Sequence, residues 1–230
     1  AYTRISNPVV DSFERRVCEL EGGKGAVACS SGMSAVTLAL LNILEAGDEI
    51  IAGSGLFGGT IDLFGDLKAF GITTRFAKQI TVEEIAPLIT DKTKVVFGEV
   101  IGNPGLDVID LKAVSEFVHS KGIPLIVDST TATPYLVQPI AYGADVVVHS
   151  SSKYINGGGN AISGVIVDSG KFDWEASGKF PSLTEPNPSY HGVSFTKAVG
   201  PAAFVTKIRA ILLRDTGATL SPFHAFFFLQ

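Results

Sequence analysis

The stretch PLIVDSTTATPYLVQPIAYGADVVVHSSSKYINGGG, residues 124–159, is the part of this chain that is most informative about its fold. It contains two apolar runs, and polar side chains follow each run directly. The first run ends at Asp128, and the second leads into three serines and Lys153. Short apolar runs bounded by turn residues are typical of buried strands in a parallel sheet. We therefore predict two strands here, with a short helical turn, PIAYGA, between them.

Strand-like and helix-like segments alternate through the rest of the chain. Apolar runs predict further strands at residues 26–31, 49–53, 72–77, 94–100 and 161–168. Helical patterns occupy residues 32–48, 60–71, 81–90 and 110–122. This alternation predicts an α/β fold in which a mostly parallel sheet is sandwiched by helices. With 230 residues, the chain has room for one large α/β domain or two small ones.

Ligands of such folds bind at the carboxyl ends of the strands. The residues that follow the predicted strands therefore form the candidate site. They are Ser30–Met33, Glu99–Asn103, Asp128–Thr130 and Ser150–Lys153. We expect these residues to meet at one edge of the sheet. They would provide backbone N–H groups that bind an anion, one amide, one carboxylate, a cluster of hydroxyls and one lysine.

Lys153 follows hydroxyls at the end of a predicted buried strand, and three interpretations fit it. It is a solvated loop lysine, a base that activates a serine nucleophile, or an amine that forms an imine. Ser150-x-x-Lys153 matches the Ser-x-x-Lys of penicillin-recognising enzymes, but neither Ser-Asp-Asn nor Lys-Thr-Gly follows it. If the lysine forms an imine with a molecule that carries a phosphate, Ser150 and Ser152 would bind that phosphate.

Two other strand ends are open to a functional or a structural interpretation. Small residues in SSGMSA, residues 30–35, leave backbone N–H groups exposed at a helix start, which suits a phosphate. The same residues also suit an ordinary tight turn between a strand and a helix. Asp128 either holds a ring nitrogen protonated or caps the turn that follows it.

Composition narrows the class of protein. Hydrophobic residues make up 46% of the chain, which predicts a sizeable core. A net charge of −5 argues against nucleic acids and acidic membranes as partners. No apolar run reaches the length of a membrane span, and the two cysteines, Cys18 and Cys29, form no metal-binding or disulfide pattern. We expect a cytoplasmic protein without a bound metal.

The two ends of the chain predict that it is a piece of a longer protein. It opens on AYTRISNPVV without a methionine, and it stops in the apolar run SPFHAFFFLQ, which has no helix-ending signal.

Several longer motifs resemble the Cys/Met metabolism family of pyridoxal-phosphate (PLP) enzymes. They are YTRISNP at residues 2–8, SSGMSA at 30–35, LFGGT at 56–60 and the long run at 127–159. The resemblance covers the whole chain and implies the large domain of a fold-type I PLP-dependent transferase, residues 1–230. An N-terminal arm and a C-terminal small domain would lie largely outside it. The segment 169–192 is similar to the O-acetylhomoserine sulfhydrylase branch of the family.

The resemblance implies a role for each matching residue. Lys153 matches the lysine that forms the Schiff base, and Asp128 matches the aspartate that faces the pyridine nitrogen. Asn103 matches the asparagine near the cofactor's 3-oxygen. The phosphate ligands that match are Gly32, Met33, Ser150 and Ser152. Tyr2 and Arg4 match residues that reach the phosphate of a neighbouring subunit, which implies at least a dimer and, for the family, a homotetramer with shared active sites.

Position 57 departs from the family pattern, which usually has tyrosine where this chain has Phe57. Either aromatic ring can stack on the cofactor. A proton transfer that needs the tyrosine hydroxyl would instead use Lys153, Tyr2 or water. Ser152 is a milder change, because threonine is common just before the lysine. The arginine that binds the substrate carboxylate belongs to the small domain and has no counterpart here.

By resemblance, the implied activity replaces the acetoxy group of O-acetylhomoserine with sulfide or a thiol, which gives homocysteine or methionine, and acetate. A γ-lyase or a cystathionine γ-synthase of the same family would use the same residues. A non-enzymatic cofactor-binding or assembly fragment is the alternative from another class. The sulfur donor stays open between free sulfide and a sulfur-carrier protein.

Overall fold

A computed structural model of the chain describes residues 2–230. Its centre is one seven-stranded sheet with the strand order β1-β7-β6-β5-β4-β2-β3. The strands are β1 (Gly25–Cys29), β2 (Glu49–Gly53), β3 (Thr73–Ala77), β4 (Thr93–Glu99), β5 (Leu125–Asp128), β6 (Val146–His149) and β7 (Gly164–Asp168). Strand β7 is antiparallel to both of its neighbours, and every other pairing is parallel. The predicted fold, a mostly parallel sheet with helices on its faces, is confirmed.

Twelve α-helical segments lie within residues 2–230. They are α1 (Pro8–Glu21), α2 (Gly32–Leu41), α3 (Gly58–Asp66), α4 (Val82–Ile85), α5 (Leu111–His119), α6 (Thr133–Leu136), α7 (Trp174–Ser177), α8 (Pro181–Thr184), α9 (Phe195–Val199), α10 (Ala203–Lys207), α11 (Arg214–Thr216) and α12 (Pro222–Phe228). A π-helical segment, Ile208–Leu213, joins α10 to α11. No helix of these residues combines the length and the apolar character needed to cross a membrane.

The hydrophobic core lies on both faces of the sheet. On β6, Val146 and Val148 pack into the cluster that also contains α2, whereas Val147 packs into the cluster that contains α1 and α5. All four residues of β6 are buried. Burial on both faces explains why the apolar runs before Asp128 and Ser150 are continuous and do not alternate with polar residues.

Two predicted helices are shorter in the structure. Helix α2 ends at Leu41, and Asn42, which follows it, turns its side-chain amide to the Phe204 carbonyl at 3.0 Å. The helix predicted at residues 81–90 keeps its threonine cap, since the Thr81 hydroxyl accepts the Glu84 amide, but it becomes a 3-10 turn around Pro87. Proline lacks the N–H that would continue the α-helical hydrogen bonds.

Helix α1 is an element that the sequence interpretation leaves out, although its ends carry clear signals. The Asn7 side chain caps it by accepting the Val9 amide, and Pro8 occupies the first turn. Gly22 ends it in the left-handed conformation at φ 70°. These are the residue types that favour helix starts and stops.

The parallel strands bring their carboxyl ends to one edge of the sheet. Strands β1, β2, β4, β5 and β6 all point to this edge, and the predicted site residues follow them. The fold therefore collects the polar strand ends where such sheets bind ligands.

Candidate active site

The start of α2 offers two free backbone donors. The Ser31 hydroxyl caps this helix by accepting the Ser34 amide at 3.1 Å. The amides of Gly32 and Met33, the first two helical residues, have no acceptor among residues 2–230. Unpaired N–H groups at the positive end of a ten-residue helix suit an anion such as a phosphate.

Gly32 lies directly against Ser150, the residue that follows β6. A Cβ atom at position 32 would lie 2.5 Å from the Ser150 Cβ and 2.7 Å from its hydroxyl oxygen. Only glycine fits such an approach without displacing the neighbouring chain. The two predicted phosphate-binding segments thus adjoin each other.

Thr130 joins Ser150 to Asp128. The Thr130 hydroxyl accepts the Ser150 amide at 2.7 Å, and the Thr130 amide donates to the Asp128 carboxylate at 2.8 Å. These bonds fix the end of β5 against the end of β6. The sequence interpretation places Thr130 at the site but gives it no role, because a side-chain bond between two loops has no local sequence signal.

Lys153 has a fixed main chain and a free amine. Its amide donates to the Ser150 carbonyl at 3.1 Å, and its carbonyl accepts the Gly157 amide at 2.7 Å. The side chain is exposed, and its Nζ has no hydrogen-bond or ion-pair partner in the described part of the chain. An unpaired amine on an ordered turn can react with a ligand at the sheet edge.

Ser152 is engaged elsewhere. Its hydroxyl donates to the Ser163 carbonyl at 3.2 Å and accepts the Ser163 amide at 3.0 Å. A hydroxyl has a single hydrogen to donate. A phosphate contact from Ser152 therefore requires this hydrogen to turn away from Ser163, whereas the Ser150 hydroxyl has no such competing bond within residues 2–230.

Asp128 ends β5 as a half-buried carboxylate. Burial raises the pKa of Asp128, while hydrogen bonds from Thr130 and the nearby His149 act in the opposite direction. A carboxylate with a raised pKa in such a place gains from a cationic partner that restores its charged form.

Glu99, at the end of β4, connects two other predicted site residues. One carboxylate oxygen accepts the Phe57 amide at 2.7 Å, and the other accepts the Asn103 amide at 3.1 Å. The sequence interpretation includes Glu99 among the strand ends without a function. The Phe57 ring is 48% exposed and covers Gly59, so it is not a core side chain.

Tyr2 and Arg4 lie together on the N-terminal segment. The Arg4 guanidinium lies 5.3 Å from the Tyr2 ring centre, and one of its N–H groups donates to the Arg214 carbonyl. Tyr2 is 66% exposed. Neither side chain makes a hydrogen bond or ring contact with the strand-end residues in the described chain, so the structure does not bring these two predicted ligands to the site of their own subunit.

Within residues 2–230, no group of three or more histidine, cysteine or acidic side chains is placed to hold a metal ion.

Pyridoxal phosphate carries a phosphate, an aldehyde and a basic ring nitrogen, and the edge of the sheet offers a complementary group to each. The free amides of α2 suit the phosphate, Lys153 suits the aldehyde and Asp128 suits the ring nitrogen. This sheet topology is that of the fold-type I PLP-dependent class, and the groups at its edge fit that cofactor.

The chain belongs to the family of Cys/Met metabolism PLP-dependent enzymes, whose family model matches residues 1–230. A sulfhydrylase of Fusarium oxysporum is 47% identical over 227 residues, which are 97% of this chain and 52% of the relative. An O-acetyl-L-homoserine sulfhydrylase of Leptospira meyeri is 46% identical over 238 residues, which cover 100% of this chain and 54% of the relative. The chain thus spans about half the length of these curated relatives.

A solved structure shares the fold closely. It is a putative O-acetylhomoserine (thiol)-lyase from Campylobacter jejuni with N'-pyridoxyl-lysine-5'-monophosphate, and it superposes with a TM-score of 0.95 at 33% identity. The match covers 100% of this chain and 57% of that one.

Proposed function

We propose that the protein is a PLP-dependent transferase that replaces the acetoxy group of O-acetyl-L-homoserine with sulfide or a thiol. The products are homocysteine, or methionine where methanethiol is the donor, and acetate. One observation carries the proposal: the free amides of α2, Ser150 and Lys153 meet at one hydrogen-bonded edge of the sheet. The names of the relatives support the choice of substrate.

Different residues at this edge would hold different parts of the cofactor. Gly32, Met33 and Ser150 bind the phosphate, with Ser152 as a further ligand once its hydroxyl turns. Asp128 pairs with the ring nitrogen, and Phe57 covers the ring face. In addition, Asn103 would contact the 3-oxygen, and Lys153 would hold the cofactor covalently.

When bound, pyridoxal phosphate supplies an electron sink that stabilises negative charge on the carbons next to the substrate's amine. Asp128 keeps its charge beside the ring nitrogen and so keeps that nitrogen protonated. The Lys153 amine would take and return protons at the α- and β-carbons of the substrate. Acetate then leaves the γ-carbon, and sulfide forms the new carbon–sulfur bond there. Phe57 has no hydroxyl, so the proton that a tyrosine at this position would transfer is carried by Lys153, Tyr2 or water.

The proposal extends to the assembly. Tyr2 and Arg4 lie exposed on the N-terminal segment and away from their own sheet edge, which supports a role at the phosphate of a neighbouring subunit. We place the enzyme in the cytoplasm as a homotetramer built from dimers with shared sites. Residues 1–230 are then its PLP-binding large domain, and a sulfur-carrier protein is one form in which the sulfur could arrive.

Product analysis tests this proposal on the intact protein. With pyridoxal phosphate, O-acetylhomoserine and sulfide, we expect homocysteine and acetate in equal amounts. Release of 2-oxobutyrate and ammonia instead would identify a γ-lyase, and cystathionine formed from cysteine would identify a cystathionine synthase. A protein that binds the cofactor and turns over none of these would be a binding or assembly fragment.

A further inference from the structure

We infer that Glu99 is a positioning residue that holds the main chains of Phe57 and Asn103 at the cofactor site. The inference rests on the proposed function, because that function gives Phe57 and Asn103 their roles toward the cofactor. The hydrogen bonds from which it is argued do not depend on that function. Phe57 and Asn103 lie on different loops, 46 residues apart in the chain by the difference of their numbers (103 − 57). Glu99 bonds to both.

The carboxylate of Glu99 uses each of its oxygens once. Oε1 accepts the Phe57 amide at 2.7 Å, and Oε2 accepts the Asn103 amide at 3.1 Å. Phe57 precedes α3 and has no side chain that could cap the helix itself. The bond from its amide to Glu99 is therefore a specific link between this exposed aromatic residue and the sheet.

Only an ionised carboxylate serves both amides well. A glutamine has one acceptor oxygen, so one of the two N–H groups would face its NH2 group. A protonated glutamic acid keeps a hydroxyl oxygen that is a weaker acceptor. Loss of charge at position 99 therefore frees one loop or the other from the sheet.

The surroundings of Glu99 make its charge sensitive to pH. It lines a cavity of about 180 Å³ together with Lys78, Asp107 and Asp110. Burial raises the pKa of Glu99 to about 7, the two amide bonds lower it, and the charge of Asp128 on the next strand raises it. These surroundings favour protonation of the carboxylate that holds the two loops in the cofactor-free protein.

Amide hydrogen exchange on the cofactor-free intact protein tests the inference directly. In Glu99→Gln we expect the Phe57 or the Asn103 amide to lose roughly tenfold or more of its protection, since an unpaired N–H loses the free energy of a hydrogen bond to a charged group. Asp107→Asn is the matched control, because the Asp107 side chain lines the same cavity and accepts a hydrogen bond from Gln79 but accepts none from the Phe57 or the Asn103 amide. Its protection at positions 57 and 103 should equal that of the wild type.

The wild type gives the same test without a substitution. After correction for intrinsic exchange, protection at Phe57 and Asn103 should fall as the pH drops from 8.5 to 5.5, because Glu99 becomes protonated. Unchanged protection in Glu99→Gln would overturn the inference, and unchanged protection of the wild type across this range would overturn the pH dependence of the two contacts.

Cofactor titration then separates this inference from the proposed function. Glu99→Gln should bind pyridoxal phosphate about tenfold more weakly than the wild type, while Asp107→Asn should match it. Equal affinity of Glu99→Gln and the wild type would overturn the positioning role. If the wild type itself binds no cofactor, the proposed function fails, and the exchange data alone still decide whether Glu99 holds the two loops.

Discussion

The hydroxyl of Thr130 accepts the backbone amide of Ser150 at 2.7 Å, and so links the strand end that carries Asp128 to the one that carries the phosphate-binding serine. The Thr130 amide completes the link through its bond to Asp128 at 2.8 Å. One residue therefore fixes the spacing between the proposed partners of the ring nitrogen and of the phosphate.

Thr130→Val should weaken cofactor binding. Valine keeps the shape of threonine but leaves the Ser150 amide without its acceptor, which costs about 1–3 kcal/mol when the group is shielded from water. We expect a loss of pyridoxal phosphate affinity of about tenfold, measured by titration of the cofactor-free protein. The control is Thr184→Val, which removes a hydroxyl that donates to the Phe180 carbonyl and makes no hydrogen bond to Thr130, Ser150 or Asp128. Equal affinities in all three proteins would show that the link does not matter.

Asp128→Asn should reduce turnover far more than cofactor retention. Asparagine keeps the shape of the side chain but has no charge to hold the ring nitrogen protonated. Without that proton the ring stabilises negative charge less well, so we expect turnover to fall about a hundredfold or more, which corresponds to roughly 3 kcal/mol in the activation barrier. Steady-state rates and cofactor titration measure the two effects, with the exposed Asp62→Asn as control. Unchanged turnover in Asp128→Asn would remove Asp128 from the mechanism.

Phe57 should act through its ring alone. We expect Phe57→Tyr to change turnover by less than about twofold, and Phe57→Ala to weaken cofactor affinity about fivefold, since a stacked aromatic pair contributes on the order of 1 kcal/mol. Phe70→Ala, at a ring that is 66% exposed outside the site, is the control for loss of an aromatic surface residue. A many-fold gain in turnover for Phe57→Tyr would show that the chemistry prefers a hydroxyl at this position.

Asp168 should make the stability of the fold depend on pH. The side chain is buried, one oxygen accepts the Gly170 amide at 2.9 Å, and the other has no partner within residues 2–230. Burial raises the pKa of Asp168 from 3.8 to about 7. The folded state therefore holds this proton more tightly than the unfolded state, and the resulting stability is present below pH 4 and is lost as the pH rises through 7.

Asp168→Asn removes that dependence. The free energy of unfolding of the variant, measured relative to the wild type by chemical denaturation, should increase between pH 4.5 and pH 7.5 and then level off. The unpaired amide of the asparagine changes the free energy of unfolding by an amount that does not depend on pH. The quantity to compare is therefore the slope of the free energy of unfolding against pH. Parallel curves for the two proteins would contradict the raised pKa.

Much of the fold and the layout of the site could be predicted from the sequence. The continuous apolar runs before Asp128 and Ser150 are local signals, and parallel pairing then brings their ends together whatever the rest of the chain does. The resemblance assigned roles to individual residues, which the fold alone could not do. The cap residues around α1, Asn7 and Gly22, were equally local and could have revealed that helix.

The supporting contacts could not be predicted in the same way. The bonds of Thr130 to Ser150 and of Glu99 to Phe57 join segments that are far apart in the chain, and neither pair has a sequence spacing that signals it. The bond of Ser152 to Ser163 is a further example, because the family pattern suggests a phosphate ligand while the folded loop gives the hydroxyl another partner. The π-helical segment at Ile208–Leu213 likewise contains neither proline nor glycine to mark it.

Borohydride reduction of the intact protein with pyridoxal phosphate identifies the lysine that binds the cofactor, because it fixes the cofactor on that residue. We expect peptide mapping to find the pyridoxyl group on Lys153, and we expect Lys153→Ala to abolish both the label and the visible absorbance of the bound cofactor. The chemical rival is Lys207, an amine buried against Asn42 and Ser182, whose pKa is lowered to about 8 by that burial. A label on Lys207, or on any lysine other than Lys153, would show that Lys153 is not the residue that binds the cofactor.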